Sequence, residues 1–314
     1  MIVNAIAWIG KKGAKAVAAS LFLGIALPPL SALMRPVLVP CIFLLLVLAF
    51  VRVDLSAAIG HARRPLRLAA ACFWMMVALP WLISVLIRLT GLQDVLPALA
   101  IALIVMAVAP PIMSAPAFAY LIGLDGALSL TVLVATMVLT PLTAPLMAGL
   151  LLGPSLPLSA ADLAVRLAAL LAGSMAVAAV LRRALGTQRI AEHRHFIDGL
   201  NVIMLFVFAV AIMDGVAAMA FGNPLLTLGL LALSFIAALL QMAATVAAFG
   251  YMGRMHALTL GLVAGNRNMG LMVAAMAGHV PDLAWIFFAL AQFPIYLLPL
   301  LLQALARRLE VARG

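Results

Sequence analysis

"VAGNRNMGLMV", residues 263–273, sets an arginine between two asparagines inside an otherwise apolar stretch. Asn266, Arg267 and Asn268 have almost no polar neighbours in sequence. A guanidinium at the centre of a membrane helix costs at least ~2.5 kcal/mol on insertion scales, so one found there marks a pathway or pairs internally. Whether this stretch lies in a membrane decides the fold.

Composition places it there. The chain of 314 residues is 68% hydrophobic and 9% charged, against about 25% charged in a soluble domain. Too little polar surface remains to coat a globule in water, so the expectation is a polytopic membrane protein. The two cysteines, Cys41 and Cys72, sit singly in apolar runs and form no metal spacing; they read as small packing residues. Lys11, Lys12 and Lys15 before "AVAASLFLGIAL" imitate a signal peptide. A retained first helix is preferred because the count of spans needs it, with residues 1–13 as an interfacial segment.

A membrane helix needs roughly 20 mostly apolar residues. Charges and turn residues cut the chain into ten such spans, at about 14–34, 36–51, 66–87, 95–124, 126–152, 162–181, 196–221, 225–250, 255–278 and 283–306. The first carries the kinking pair Pro28–Pro29, and residues 307–314 form a tail. With the N-terminus in the cytoplasm, fifteen Lys and Arg fall in cytoplasmic segments and two, Arg35 and Arg88, on the other side. That asymmetry sets orientation, with both termini cytoplasmic. It also excludes nucleic acid as partner: the net charge of +10 is spread over five short segments rather than one patch.

The chain divides after residue 157 into halves, 14–157 and 158–306, of five spans each. The fourth span of the first half is interrupted at Pro110–Pro116. The fourth span of the second, the ninth overall, is interrupted at Gly265–Asn268, which becomes 108–111 on subtracting 157. Five is odd, so the halves enter the membrane from opposite sides as inverted repeats. Matching Gly/Pro-interrupted spans in inverted halves point to a transporter's binding site. A helix break frees backbone groups that lipid cannot satisfy, so it must face protein or a wet cavity. The two breaks are therefore expected to meet, with half-helix ends carrying opposite partial charges.

"GNRNMGLMVAA", 265–275, resembles the ninth-span motif of the bile acid:sodium symporter family, where Glu-Thr-Gly-Met-Gln-Asn-Ser-Gly-Leu crosses the membrane centre. "QMAATVAAFGYMGRMHALTLGLVAGNRNMG", 241–270, is similar to the approach to that motif. "APPIMSAPAFAYLIGLDGALSLTVLVATMVLTPLTAPLM", 109–147, is similar to the family's fourth and fifth spans. "DLSAAIGHARRPLRLAAACFWMMVALP", 54–80, is similar to its second loop and third span. The similarity runs in order over nearly the whole chain. It implies an all-α fold of ten spans in two inverted repeats. Spans three to five and eight to ten would form a core domain and the other four a panel. Spans four and nine would cross, and organic anions would move by alternating access, usually driven by sodium.

The departures are specific. Aligned on Asn268, Gly270 and Leu271, the family's sodium-binding glutamate falls at Val263 and its glutamine at Arg267. The fourth-span Ser-Asn pair falls at Ala115 and Pro116, and the fifth-span threonine near Leu133, flanked by Ser129, Thr131 and Thr136. Sodium wants several oxygens and a balancing carboxylate. A fixed cation a few ångströms away would repel it by roughly several kcal/mol. The expectation is that Arg267 permanently supplies the charge sodium supplies in relatives, offering donors suited to a carboxylate or to carbonyls. Its plainer role is to cap the carbonyls ending the first half-helix.

Around Arg267 the expected substrate- or ion-binding residues are Gly265, Asn266, Asn268, Ser114, Pro116 and Gln241. Asp214, in "VAIMDGVAAM", is read as a partner for Arg267, a proton carrier, or an interfacial residue. Asp162 and Arg166, four apart, are expected to pair on one helix. The chain shows no Gly-rich phosphate loop, H-E-x-x-H or G-x-S-x-G, which argues against an enzyme. The function expected is a secondary transporter of a small organic anion in a bacterial inner membrane, without a cofactor, its coupling ion open between sodium, a proton or none. The alternatives are a sodium symporter with a rearranged ion site, a related ten-span efflux carrier, and a membrane sensor on a transporter fold. Against the arsenite type of carrier, which relies on a fourth-span cysteine, Cys41 and Cys72 fall in the second and third spans.

Overall fold

The computed structural model describes residues 13–52 and 65–311. Apart from Gly13, the expected interfacial segment lies outside them, as do Arg63, Arg64 and residues 312–314. The described residues form helices joined by short turns and connections, with no strand beyond one isolated two-residue bridge. Among the described residues, seven helical runs are long and apolar enough to cross a membrane. This is the build of a polytopic membrane protein.

The chain forms two compact units, Met1–Val53 with Ala168–Gly229, and Asp54–Leu167 with Leu230–Gly314. The first unit contains α1 (Gly13–Ala26), α2 (Pro28–Arg52), α8 (Thr187–Glu192), α9 (Arg194–Ile212) and α10 (Val216–Gly222). The second contains α3 (Pro65–Leu89), α4 (Pro97–Val108), α5 (Ala115–Ile122), α6 (Gly126–Leu152), α12 (Arg254–Gly265), α13 (Met269–Ala275), α14 (Asp282–Leu290) and α15 (Gln292–Val311). Two long helices, α7 (Ala160–Leu185) and α11 (Pro224–Phe249), contribute to both.

In the first unit α9 packs along α1 and α2. The sequence reading divides this N-terminal stretch at Arg35; the structure divides it at Leu27. Leu27 precedes proline and is driven out of the helical region (φ −122°, ψ 71°), while Pro28 starts the next helix, where its missing N–H is harmless. At Arg35–Val37 the chain only tightens into a 3-10 turn and runs on. Two ion pairs tie α2 to the α9–α10 segment. Arg35 Nη1 lies 2.9 Å from Asp214 Oδ2, and Arg52 Nη2 lies 2.8 Å from Asp198 Oδ1.

In the second unit α4 is buried along almost its whole length and packs against α3, α6, α13 and α14. Gly261 and Gly265 stand four apart on α12 and face α11. A Cβ on Gly265 would press on Met242 and lie 2.9 Å from the Ala238 carbonyl; one on Gly261 would lie 3.1 Å from the Met242 carbonyl. Small residues at this spacing let two backbones approach closely.

Candidate functional site: the paired helix breaks

The first break separates α4 from α5. Pro110 and Pro111 cannot donate to the preceding turn, and Ala109, before proline, turns extended (ψ 145°). The chain re-enters a helix at Ala115 with Pro116 in the first turn. The second break separates α12 from α13. Asn266 leaves the helical region, and Asn268 starts α13 by accepting the Leu271 N–H on its side-chain oxygen at 3.1 Å.

The breaks meet. Pro111 and Arg267 form an antiparallel bridge. The Ile112 N–H donates to the Asn266 carbonyl at 2.8 Å, and the Asn268 N–H to the Pro110 carbonyl at 2.7 Å. Opposed residues in such a pair exchange no bond of their own, so the N–H that Pro111 lacks is not needed. Backbone groups freed by both breaks thus satisfy one another.

Arg267 is 1% exposed. Its Nε donates to Gln241 Oε1 at 3.1 Å, and its Nη1 donates to the carbonyls of Ala109 at 3.0 Å and Met75 at 3.3 Å. All three acceptors are neutral. Ala109 terminates α4, so the guanidinium sits at the negative end of that helix. Met75 lies in a π turn, Trp74–Ala78, where Leu79 N–H reaches back to the Trp74 carbonyl. The donor that would next serve Met75 is residue 80, a proline without an N–H. Arg267 takes the carbonyl that Pro80 leaves idle.

No protein-family model matches the chain, and no curated protein matches it.

Other polar groups at the breaks are unfilled. Among the described residues, Ser114 Oγ, Asn266 Oδ1 and Arg267 Nη2 are buried without a protein partner, as is Ser129 Oγ in the first turn of α6. Asn266 spends its amide on the Leu262 carbonyl at 2.7 Å, leaving its oxygen idle. Buried polar atoms without partners are few in native proteins, so this cluster calls for a reason.

The structure brings several of the expected residues together. Gly265, Asn266, Arg267, Asn268 and Gln241 are among them, with Ser114 and Pro116 on the facing break. Val263 and Ala115 are fully buried apolar residues. Thr136 donates to carbonyls of its own helix, at 2.7 Å to Val132, and Thr131 likewise donates to Ala127 at 2.9 Å. Asp214 stands elsewhere, in the first unit, paired with Arg35. The expected Asp162–Arg166 pair gives way to other partners. Ser159 Oγ lies 2.6 Å from Asp162 Oδ2, and Arg166 Nη1 donates to the Ala277 carbonyl at 3.1 Å, just past the end of α13. A helix end with bare carbonyls offers the guanidinium more than an exposed i,i+4 carboxylate does. Sequence reading missed Met75 and Ala109, whose contributions are backbone carbonyls, whereas Pro111 lies within the expected interruption. Only Pro80, five after Met75, carried a readable signal.

Proposed function

We propose that the protein is a secondary transporter of small organic anions with the architecture of the bile acid:sodium symporter family. The observation that carries the reading is the bridge at Pro111 and Arg267, where two interrupted helices meet around a buried, permanently charged side chain. Transporter folds with inverted repeats bind their solutes at such crossings. Three interrupted or short apolar segments, α1, α4–α5 and α12–α13, added to the seven long runs, fit ten spans. The two units also fit a panel of spans one, two, six and seven and a core of the rest. The arginine-rich ends of the segments fit an inner-membrane protein with both termini in the cytoplasm.

Arg267 replaces a coupling cation. Its guanidinium gathers one amide oxygen and two carbonyls, the neutral oxygens a hard cation would gather. Idle polar atoms on both breaks are available to a polar solute. Transport then needs no sodium.

Uptake by the purified protein in liposomes tests this, with a panel of radiolabelled carboxylates and with sodium or choline outside. The expected result is uptake of at least one carboxylate at equal rates in both salts, lost in Arg267→Ala. No uptake of any organic anion overturns the transport reading. Uptake that collapses without sodium overturns the role given to Arg267.

A further inference from the structure

Three membrane-length helical runs of the first unit carry arginines at one shared end. Arg52 closes α2, Arg182 and Arg183 lie in the last turn of α7, and Arg194 opens α9. The sharing is visible in contacts. Arg182 Nη1 donates to the Val51 carbonyl at 3.4 Å, and Arg52 reaches Asp198 on the first turns of α9. Between α7 and α9, Gly186 (φ 76°) turns the chain into the short helix α8. Ile190 of α8 packs with Ile197 against Val47, Val51 and Ala178, which anchors α8 across the helix ends and leaves Arg189 beside it exposed. Five arginines (52, 182, 183, 189, 194) therefore converge with two carboxylates, Glu192 and Asp198. Asp198 is shared between Arg52 at 2.8 Å and Arg194 at 4.0 Å, while Glu192 accepts from Gln188 at 3.1 Å. Among the described residues the excess is three positive charges, and Arg183 and Arg189 are exposed.

Toward the opposite ends of α2 and the α9–α10 segment, Arg35 pairs with Asp214. Arg35 and Arg52 are about 25 Å apart along α2 at 1.5 Å per residue. That nearly spans a hydrocarbon core of roughly 30 Å. Groups at the ends of such runs lie at headgroup level.

We infer that this face, formed by Arg52, Arg182, Arg183, Arg189 and Arg194, binds the headgroups of anionic phospholipids. The charge excess is complementary to them, it stands at their depth, and basic sites at helix ends are the usual form of such recognition. The inference rests on the membrane fold alone and is independent of what the crossing carries.

The test uses the full chain in a neutral detergent. Its thermal midpoint is followed while phosphatidylglycerol, phosphatidylcholine or inorganic phosphate is titrated in. Phosphatidylglycerol is expected to raise the midpoint with saturation, and the other two to leave it unmoved. The exposed pair Arg183→Gln/Arg189→Gln is expected to weaken the apparent affinity roughly 25-fold, at about fivefold per arginine near an anionic surface. Arg254→Gln, at the start of α12 in the other unit, is expected to change nothing. An equal response to phosphatidylcholine or to inorganic phosphate overturns the inference. So does a double variant that keeps wild-type phosphatidylglycerol affinity, or an Arg254→Gln variant that loses as much as the pair. If the double variant has a lowered midpoint without lipid, native mass spectrometry of wild-type protein in an equal mixture of the two lipids decides: preferential retention of phosphatidylglycerol supports the site, and equal retention overturns it.

Discussion

Pro111 and Arg267 face each other across the one isolated bridge among the described residues, and the hydrogen bonds on either side of them join two helix breaks 156 residues apart in sequence. The amides of Ile112 and Asn268 should therefore exchange slowly although they lie outside any helix. Hydrogen–deuterium exchange in nanodiscs reads this directly. Ile112→Pro removes one of the two donors and should lower stability by about 0.5–1.5 kcal/mol. Pro111→Ala, which touches neither bond, should leave their protection in place. Exchange at Ile112 and Asn268 as fast as in an open loop would show that the breaks do not pair.

Gly265 is fixed by packing rather than by φ. An added Cβ meets the Ala238 carbonyl at 2.9 Å, and a backbone oxygen cannot swing aside as a side chain can. Gly265→Ala should destabilise the protein by about 1–3 kcal/mol, the usual penalty for overpacking. Gly229→Ala, on α11 with open space around it, should be neutral or slightly stabilising. Thermal midpoints of the two variants in detergent make the comparison. Equal midpoints would mean that α11 and α12 do not approach as closely as described.

The breaks themselves were legible in the sequence because proline and the Gly-Asn run remove or redirect backbone donors, and that effect is local. Arg267 was legible as an anomaly because a charge among apolar residues needs an explanation. Of its partners, Gln241 was among the expected residues; the other two are carbonyls, which every residue has, and only folding decides which carbonyl is left over. The same reason explains the failure at Arg166, where the reading looked for a carboxylate four residues away and the structure supplies the carbonyl end of α13. At the N-terminus the reading gave weight to the charge at Arg35, whereas the steric effect of Pro28 on Leu27 governs where the helix stops.

Pro80 has a consequence for Arg267. Pro80→Ala restores an N–H to α3, so the π turn at Trp74–Ala78 can relax and the Met75 carbonyl can be satisfied within its own helix. Stability should hold or rise, since an interior proline costs a helix about 3 kcal/mol in the absence of compensation. Carboxylate uptake should fall, because Arg267 loses one of its three anchors. A stable variant with wild-type uptake would show that the Met75 contact positions nothing.

The sharpest separation of charge from architecture lies at Gln241, whose Oε1 accepts from Arg267 Nε at 3.1 Å in a site that is 1% exposed on both sides. Gln241→Glu keeps an acceptor of the same shape at the same place and makes the contact a charge-assisted bond. At the Ala237 carbonyl, which accepts from Gln241 Nε2 at 3.3 Å, the glutamate presents a second acceptor and must turn away, a cost set against the gain at Arg267. A buried guanidinium without a carboxylate among its partners gains more from a matched counter-charge than a pair already balanced would. The variant should therefore fold with an unchanged or raised thermal midpoint. If the fixed positive charge attracts the anion, pairing it internally should depress uptake at least tenfold, chiefly through a raised KM. Gln241→Leu removes the acceptor while leaving the charge unpaired, and should lower the midpoint and spare the KM of whatever protein remains folded. Full uptake by Gln241→Glu at wild-type KM would mean that Arg267 only holds the two breaks together.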